Sequence, residues 1–342
     1  MYKKISLLFI SIIFSFLLGE ILVRIFNLGP KVIPITYWRF VDNPKLVYEE
    51  VPYTHSSSGD LRNNLGFKDS DFIKDKPKDL VRIVMLGDSI TEGYLVKCPK
   101  TFSDILEIML NKKESTKGSN LRYEVMNFGV IGYNLEAKIE TLKIKAIHYQ
   151  PDIVVLNYFH DDLQPLSNFQ AMISSESPLT DRQKNFILNR YVRDKYSLFK
   201  NILYRSRLFI LLKEGLFNRK KMSWNKALDI LKKPDPRYKK IIWQGFLTIK
   251  KLQNQHNFKF LICLHPDLIH GYDETVKTVI EFAEKFRFPY FYMWDYYKSK
   301  VEDMHFLQLE PYSPDRAHPN ELGHMIIAEA IFKELKKNNF ID

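Results

Sequence analysis

Val81-Arg82-Ile83-Val84-Met85-Leu86-Gly87-Asp88-Ser89 is the stretch on which the fold turns. A short, almost wholly apolar run ends in a glycine and then in two polar residues, as a strand buried on both faces does where it enters a tight turn. Working outward, the same grammar repeats. Phe102–Leu110 has helical spacing, with Phe102, Ile105, Leu106 and Met109 on one face. Tyr123–Phe128 reads as a second strand, Leu135–His148 as a helix closed by Pro151, and Ile153–Phe159 as a third strand. Later come a helix over Tyr238–Gln253, a strand over Phe258–Leu264, a helix over Glu274–Phe286, a strand over Tyr290–Trp294 and an amphipathic helix over Glu321–Lys336. Buried strands alternating with helices predict a parallel sheet covered on both faces. Sheets of that kind place their chemistry just beyond the carboxyl ends of the strands.

The rest of the chain frames this unit. Lys3 and Lys4 precede Ile5–Leu18, apolar apart from serines, and the apolar character resumes through Ile21–Val23. Nineteen helical residues reach about 28 Å, close to the hydrocarbon core of a bilayer. Leu17-Leu18-Gly19-Glu20-Ile21 is a poor cleavage site, so residues 1–28 are expected to stay as a signal-anchor. The lysines in front place the N-terminus in the cytoplasm and the main domain outside it, periplasmic or on the cell surface. Glu20 and Arg24, four apart, are spaced to pair on one helix face. Residues 29–79, rich in Pro, Asn, Asp and Ser, read as a linker and an irregular layer, and 80–342 as the α/β domain. An insertion over 163–236 interrupts that domain. Within it Tyr196–Phe217 carries an apolar stripe that fits a lid, a membrane-surface helix or plain packing.

The formal charge of +11 is local. Between Asp181 and Lys240 stand 18 Lys/Arg against 5 Asp/Glu, which leaves the remainder near −2. No nucleic-acid motif accompanies that basicity, so a solvated surface or one facing anionic headgroups or an acidic glycan is the better reading. Two cysteines, Cys98 and Cys263, make neither a disulfide framework nor a zinc pattern. No cofactor is called for.

The polar residues after the strands carry the chemistry. Gly87-Asp88-Ser89 sits where a helix begins, with the serine hydroxyl turned outward and backbone N–H groups nearby. Near the other end, Asp315-Arg316-Ala317-His318-Pro319-Asn320 precedes the last helix. A serine hydroxyl needs an adjacent base to act as a nucleophile, and a histidine in that role needs a carboxylate to fix its tautomer. His160, Asp161 and Asp162, and likewise His265, Asp267 and His270, lack the spacing of a metal site, and polar loop residues at strand ends account for them.

These blocks resemble the SGNH (GDSL-like) hydrolase family in a membrane-anchored form. Gly87–Ser89 matches its first block, Asn127–Tyr133 its glycine block and Asp315–His318 its last, over roughly residues 80–160 and 255–337. The resemblance implies a flavodoxin-like three-layer α/β/α sandwich. It implies Ser89 as nucleophile, His318 as base, Asp315 as its orienter, and the N–H groups of Ser89 and Gly132 as oxyanion donors. A loop glycine needing positive φ is a second reading of Gly132 that holds beside the first.

The third block departs from the family. Where the family offers an asparagine amide, Asn157-Tyr158-Phe159-His160-Asp161-Asp162 puts Asp161. A carboxylate about 4 Å from an oxyanion repels it by roughly 4 kcal/mol at an effective dielectric near 20. So Asp161 is protonated by burial, or is turned away while His160 or Asn157 donates, or the hydrolysis is slow; another reading has Asp161 and Asp162 cap the insertion. The expected activity is ester hydrolysis on an O-acylated glycan or lipid, with O-acyl transfer or a non-catalytic, membrane-tethered binding module as alternatives.

Overall fold

In the computed structural model, residues 2–26, 38–41, 43, 45–46, 48–163, 206, 208, 237–268, 271–272, 274–309 and 318–342 are described. Two units separate, Met1–Trp38 with Leu179–Ile230, and Arg39–Pro178 with Leu231–Asp342.

The first unit contains α1 (Tyr2–Ile25). It is one helix long and apolar enough to cross a membrane, over Ser6–Ile25. Glu20 is held within the unit: Arg24 Nε donates to it at 2.7 Å, as do Ser206 Oγ at 2.7 Å and the Leu208 N–H at 2.9 Å. The expected pairing of Glu20 with Arg24 is present. The Tyr196–Phe217 stripe lies almost wholly outside the described residues.

The second unit is built on five parallel strands: β1 (Leu80–Gly87), β2 (Arg122–Gly129), β3 (Ile153–Tyr158), β4 (Lys259–Leu264) and β5 (Tyr290–Tyr292). Their order is β2-β1-β3-β4-β5. Register runs from Leu80↔Arg122 to Gly87↔Gly129 on one side of β1, and from Ile83↔Ile153 to Leu86↔Leu156 on the other. The α-helices described in this unit are α2 (Ser89–Glu92), α3 (Phe102–Thr116), α4 (Leu135–Ile144), α5 (Tyr238–His256), α6 (Thr275–Phe286), α7 (Met293–Lys298) and α8 (Glu321–Lys337).

Both faces of the sheet are apolar because both are covered. Ile83, Met85, Val155, Leu261 and Cys263 pack with Phe102, Leu106 and Leu110 of α3 and with Ile327 and Ile331 of α8. The alternate residues Val84, Leu86, Val154, Leu156, Phe260 and Ile262 are equally buried. On that side Ile242, Phe246 and Ile249, spaced along one stripe of α5, are fully buried, and Phe288 bridges the rings of Phe246 and Phe260. This is the expected flavodoxin-like α/β/α sandwich, and its strand order is the one such folds carry. Strand order reverses between β1 and β3, which opens the crevice at their carboxyl ends where Ser89 stands.

Two elements end earlier than the sequence reading places them. The fifth strand stops at Tyr292, since Met293 and Tyr297, four apart and both buried, share one helix face in α7. The helix at Leu135 stops at Ile144 and passes through a 3-10 turn, Ala146–Tyr149. Gln150 then takes φ 53°, left-handed, and closes the turn with its N–H on Ile147 O.

Candidate active site

The turn after β1 is built for close approach. A Cβ on Gly87 would lie 1.8 Å from Thr91 Oγ1, and one on Gly129 would lie 2.2 Å from the Glu92 amide nitrogen. Only glycine at the ends of both strands lets α2 lie against the backbone of β2. Asp88 caps α2 by accepting from the Ile90 N–H at 2.8 Å, and Gly93 closes it in the left-handed region at φ 78°. Ser89, the first residue of α2, is half-buried.

His318 meets it from 229 residues away, with Nε2 2.7 Å from Ser89 Oγ. With Nε2 unprotonated, the serine hydroxyl donates to it. The Tyr94 ring lies against the imidazole at 4.7 Å between centroids. The segment holding His318 is tied down by Asn320: its N–H donates to Leu307 O at 2.7 Å, and its amide donates to Phe306 O and Gln308 O. The Asn320 side chain also caps α8 through the Gly323 N–H. Asp315 lies outside the described residues.

Gly132 takes φ 76°, so its loop requires a residue free of a Cβ penalty. Tyr48 fixes that loop: its hydroxyl donates to Ile131 O at 2.5 Å, and Tyr133 donates back to Tyr48 O at 2.6 Å.

The third block divides. Asn157 points into the sheet, where Nδ2 donates to Leu86 O at 3.3 Å and Oδ1 accepts from His265 Nε2 at 3.0 Å. One of the two Asn157 amide N–H groups is therefore committed inside the sheet. Asp162 is fully buried and accepts from Lys138 Nζ at 2.5 Å, so it is a partner of a core cation. His160 and Asp161 begin the 3-10 turn His160–Leu163, and their side chains lie outside the described residues. His270 lies outside them too. Among the described residues no three His, Cys, Asp or Glu stand together as metal ligands. Cys98 and Cys263 are free thiols.

The sequence reading missed the buried charges behind the pair. Lys138 Nζ donates to Asp88 Oδ2 at 2.8 Å and to Asn157 O at 2.9 Å as well as to Asp162. Burial opposes the charge on Lys138, but Asp162 and Asp88 hold its pKa above the ordinary lysine range. Burial works to raise Asp88, and Lys138 overrides it, holding that carboxyl below its usual range. A signal was present: Lys138 stands three residues after Leu135 and four before Leu142, on the buried stripe of α4.

The segment before β1 contributes a second set. Arg62 makes a two-point contact with Glu50 at 2.8 and 2.9 Å and approaches Glu92 Oε1 at 3.5 Å. Lys68 Nζ donates to Gly93 O at 2.8 Å and to Val96 O, bracing the end of α2. Burial, then Glu50, pushes the Glu92 carboxyl up to about 7. Two histidines are neutral core residues: burial lowers His265 to about 4 and His324 to about 3, and His324 Nδ1 accepts from the Phe102 N–H at 3.0 Å.

Among solved structures the chain is similar to a two-domain esterase active on acetylated mannans, at 14% identity and TM-score 0.44, covering 77% of this chain and 50% of that one. It is also similar to the lipase/acylhydrolase from Enterococcus faecalis, at 15% identity and TM-score 0.41, covering 75% of this chain and 96% of that one. An acetyl xylan esterase matches at 14% identity and TM-score 0.40, covering 75% of this chain and all of that one. The chain thus spans about half the length of the first of these. No curated protein matches. The family model of the GDSL-like lipase/acylhydrolases matches residues 83–331, which reaches from β1 into α8. The chain belongs to the GDSL-like lipase/acylhydrolase family.

Proposed function

We propose that the protein is a serine-dependent ester hydrolase, with Ser89 as nucleophile and His318 as general base. The observation that carries this reading is the 2.7 Å contact between Ser89 Oγ and His318 Nε2, at the carboxyl end of β1. His318 takes the hydroxyl proton as Ser89 Oγ bonds to the ester carbonyl carbon, and the carbonyl electron pair moves onto oxygen. The imidazolium then gives its proton to the departing alkoxide as the C–O bond breaks, leaving an acyl-enzyme. Water, deprotonated by His318, releases the acid and restores Ser89. Asp315 steadies the imidazolium, and the N–H groups of Ser89 and Gly132 receive the oxyanion.

The substrate in this reading is an extracytoplasmic ester, an O-acylated glycan or a lipid. α1 anchors the chain, and the lysines before it set the orientation. Transfer to an alcohol instead of water uses the same residues. The second reading, a membrane-tethered binding module without turnover, is favoured by Asp161 at the position where the family carries an amide.

The test is turnover of 4-nitrophenyl acetate, acetylated sugars and short-chain lipids by the full chain and its variants, with and without an acceptor alcohol. Activity lost in Ser89→Ala and kept or raised in Asp161→Asn supports the enzyme. A large fall in Asp161→Asn shows that the carboxylate has its own task. No turnover of any ester by the wild type favours the binding module.

A further inference from the structure

We propose that Lys138 is a positioning residue that holds the Ser89 turn and the His160–Leu163 turn in one fixed register. For its effect on activity this rests on the esterase reading above. An ammonium has three N–H donors, and all three are used on oxygens from three places: Asp88 Oδ2 after β1, Asn157 O near the end of β3, and Asp162 Oδ1 in the turn beyond it. Lys138 arrives from α4, a fourth segment, and is fully buried. It serves as a fixed cation around which the ends of two strands and the turn beyond one of them are arranged, much as a bound metal would.

The route from this cation to the nucleophile is short. Asp88 uses Oδ2 for Lys138 and Oδ1 for the Ile90 N–H, so one carboxylate is shared between the ammonium and the first turn of α2. Ser89 lies between Asp88, which carries this carboxylate, and Ile90, whose N–H it accepts. On the other side, Asp162 accepts from Lys138 while its own N–H donates to Phe159 O at 3.0 Å, which closes the turn that carries Asp161. The nucleophile and the third block are therefore separated by one side chain and two charge-assisted contacts.

A pair of opposite charges placed only for stability is replaceable by apolar side chains of similar size. A three-point clamp is not, because its directions matter as well as its charge. The groups that face the ammonium are Asp88, Asp162 and the Asn157 carbonyl, with His265 next in line through the Asn157 amide oxygen. Without Lys138 the largest opposition to the burial of Asp88 is gone and only the Ile90 N–H and His265 still favour its charge, so the carboxyl shifts upward and the cap on α2 becomes dependent on pH.

The experiment uses the full chain in a mild non-ionic detergent. Lys138→Met is compared with wild type by hydrogen exchange and by the rate of fluorophosphonate attachment to Ser89 from pH 5 to 9. Exchange is expected to rise about tenfold in peptides covering 88–93 and 157–163 and to stay level in α8. Labelling is expected to slow roughly 100-fold and to gain an acid-side ionisation that Lys138→Met/Asp88→Asn abolishes. If Lys138→Met does not fold, Asp88→Asn/Lys138→Met/Asp162→Asn removes all three charges together and is expected to fold yet label slowly. Labelling at the wild-type rate with an unchanged profile, or exchange that rises evenly through the domain, overturns the proposal. If wild type itself does not label, the esterase reading has failed, and exchange in the two turns still decides for or against the clamp.

Discussion

Replacing Glu92 with glutamine should make the protein more stable above neutral pH and leave it unchanged in mild acid. Glu92 is fully buried in α2, three residues after Ser89, and neither carboxylate oxygen has a hydrogen-bond partner among the described residues. Of the nearby cations, Arg62 is already engaged by Glu50, and Lys68 by the Gly93 and Val96 carbonyls. Burial, then the Glu50 charge, raises the carboxyl from 4.5 to about 7. The folded protein therefore keeps a proton that the unfolded chain releases above pH 4.5. The stability this represents is complete below 4.5 and is lost as pH rises through 7. At about 1.36 kcal/mol per pH unit, that interval amounts to about 3 kcal/mol by pH 8.5. Glutamine matches the protonated carboxyl in shape and cannot ionise. Urea unfolding of the full chain in non-ionic detergent, followed by tryptophan fluorescence at pH 5 and 8.5, measures the difference. A difference below about 1 kcal/mol at pH 5 and a gain of about 3 kcal/mol for Glu92→Gln at pH 8.5 are expected. Parallel curves, or a variant weaker at pH 8.5, would show that Arg62 keeps the carboxylate ionised and refute the reasoning.

Other outcomes follow from the same contacts. Gly129→Ala pushes a Cβ into the backbone of Thr91 and Glu92 and should cost about 3 kcal/mol, whereas Gly118→Ala, with open space but φ 70°, should cost about 1 kcal/mol; thermal melts rank the two. Acid should destabilise the fold below pH 6.5, because His265 and His324 are neutral when folded and protonated when unfolded. Each loses about 2–3 kcal/mol by pH 4.5, and His324→Gln, which preserves an acceptor for the Phe102 N–H, should flatten part of that decline in urea titrations.

Much of this was legible in the sequence because strands buried on both faces leave continuous apolar runs. VRIVML, IVVLNY and FLICL mark three strands of the sheet with little ambiguity. Ser89 and His318 were legible because glycine before one and an asparagine cap after the other announce a turn at a strand end and a helix start. The boundaries were harder. Tyr290–Tyr292 is an edge strand paired on one side only, and nothing in its pattern says where α7 begins. Buried ions were hardest, since Arg62, Lys68, Glu92 and Lys138 lie inside for reasons of long-range pairing. Residues 29–79 look irregular by periodicity, yet Tyr48, Arg62 and Lys68 from that stretch support the Gly132 loop and α2 through hydrogen bonds to backbone carbonyls and an ion pair with Glu92.

The account depends on one alcohol and one imidazole acting together. Full-length protein treated with a fluorophosphonate, digested and mapped by mass spectrometry puts that to a direct test. A single adduct on the peptide containing Ser89 is expected, absent in Ser89→Ala and formed about 10³-fold more slowly in His318→Gln. An adduct on another residue, or His318→Gln reacting at the wild-type rate, would contradict it.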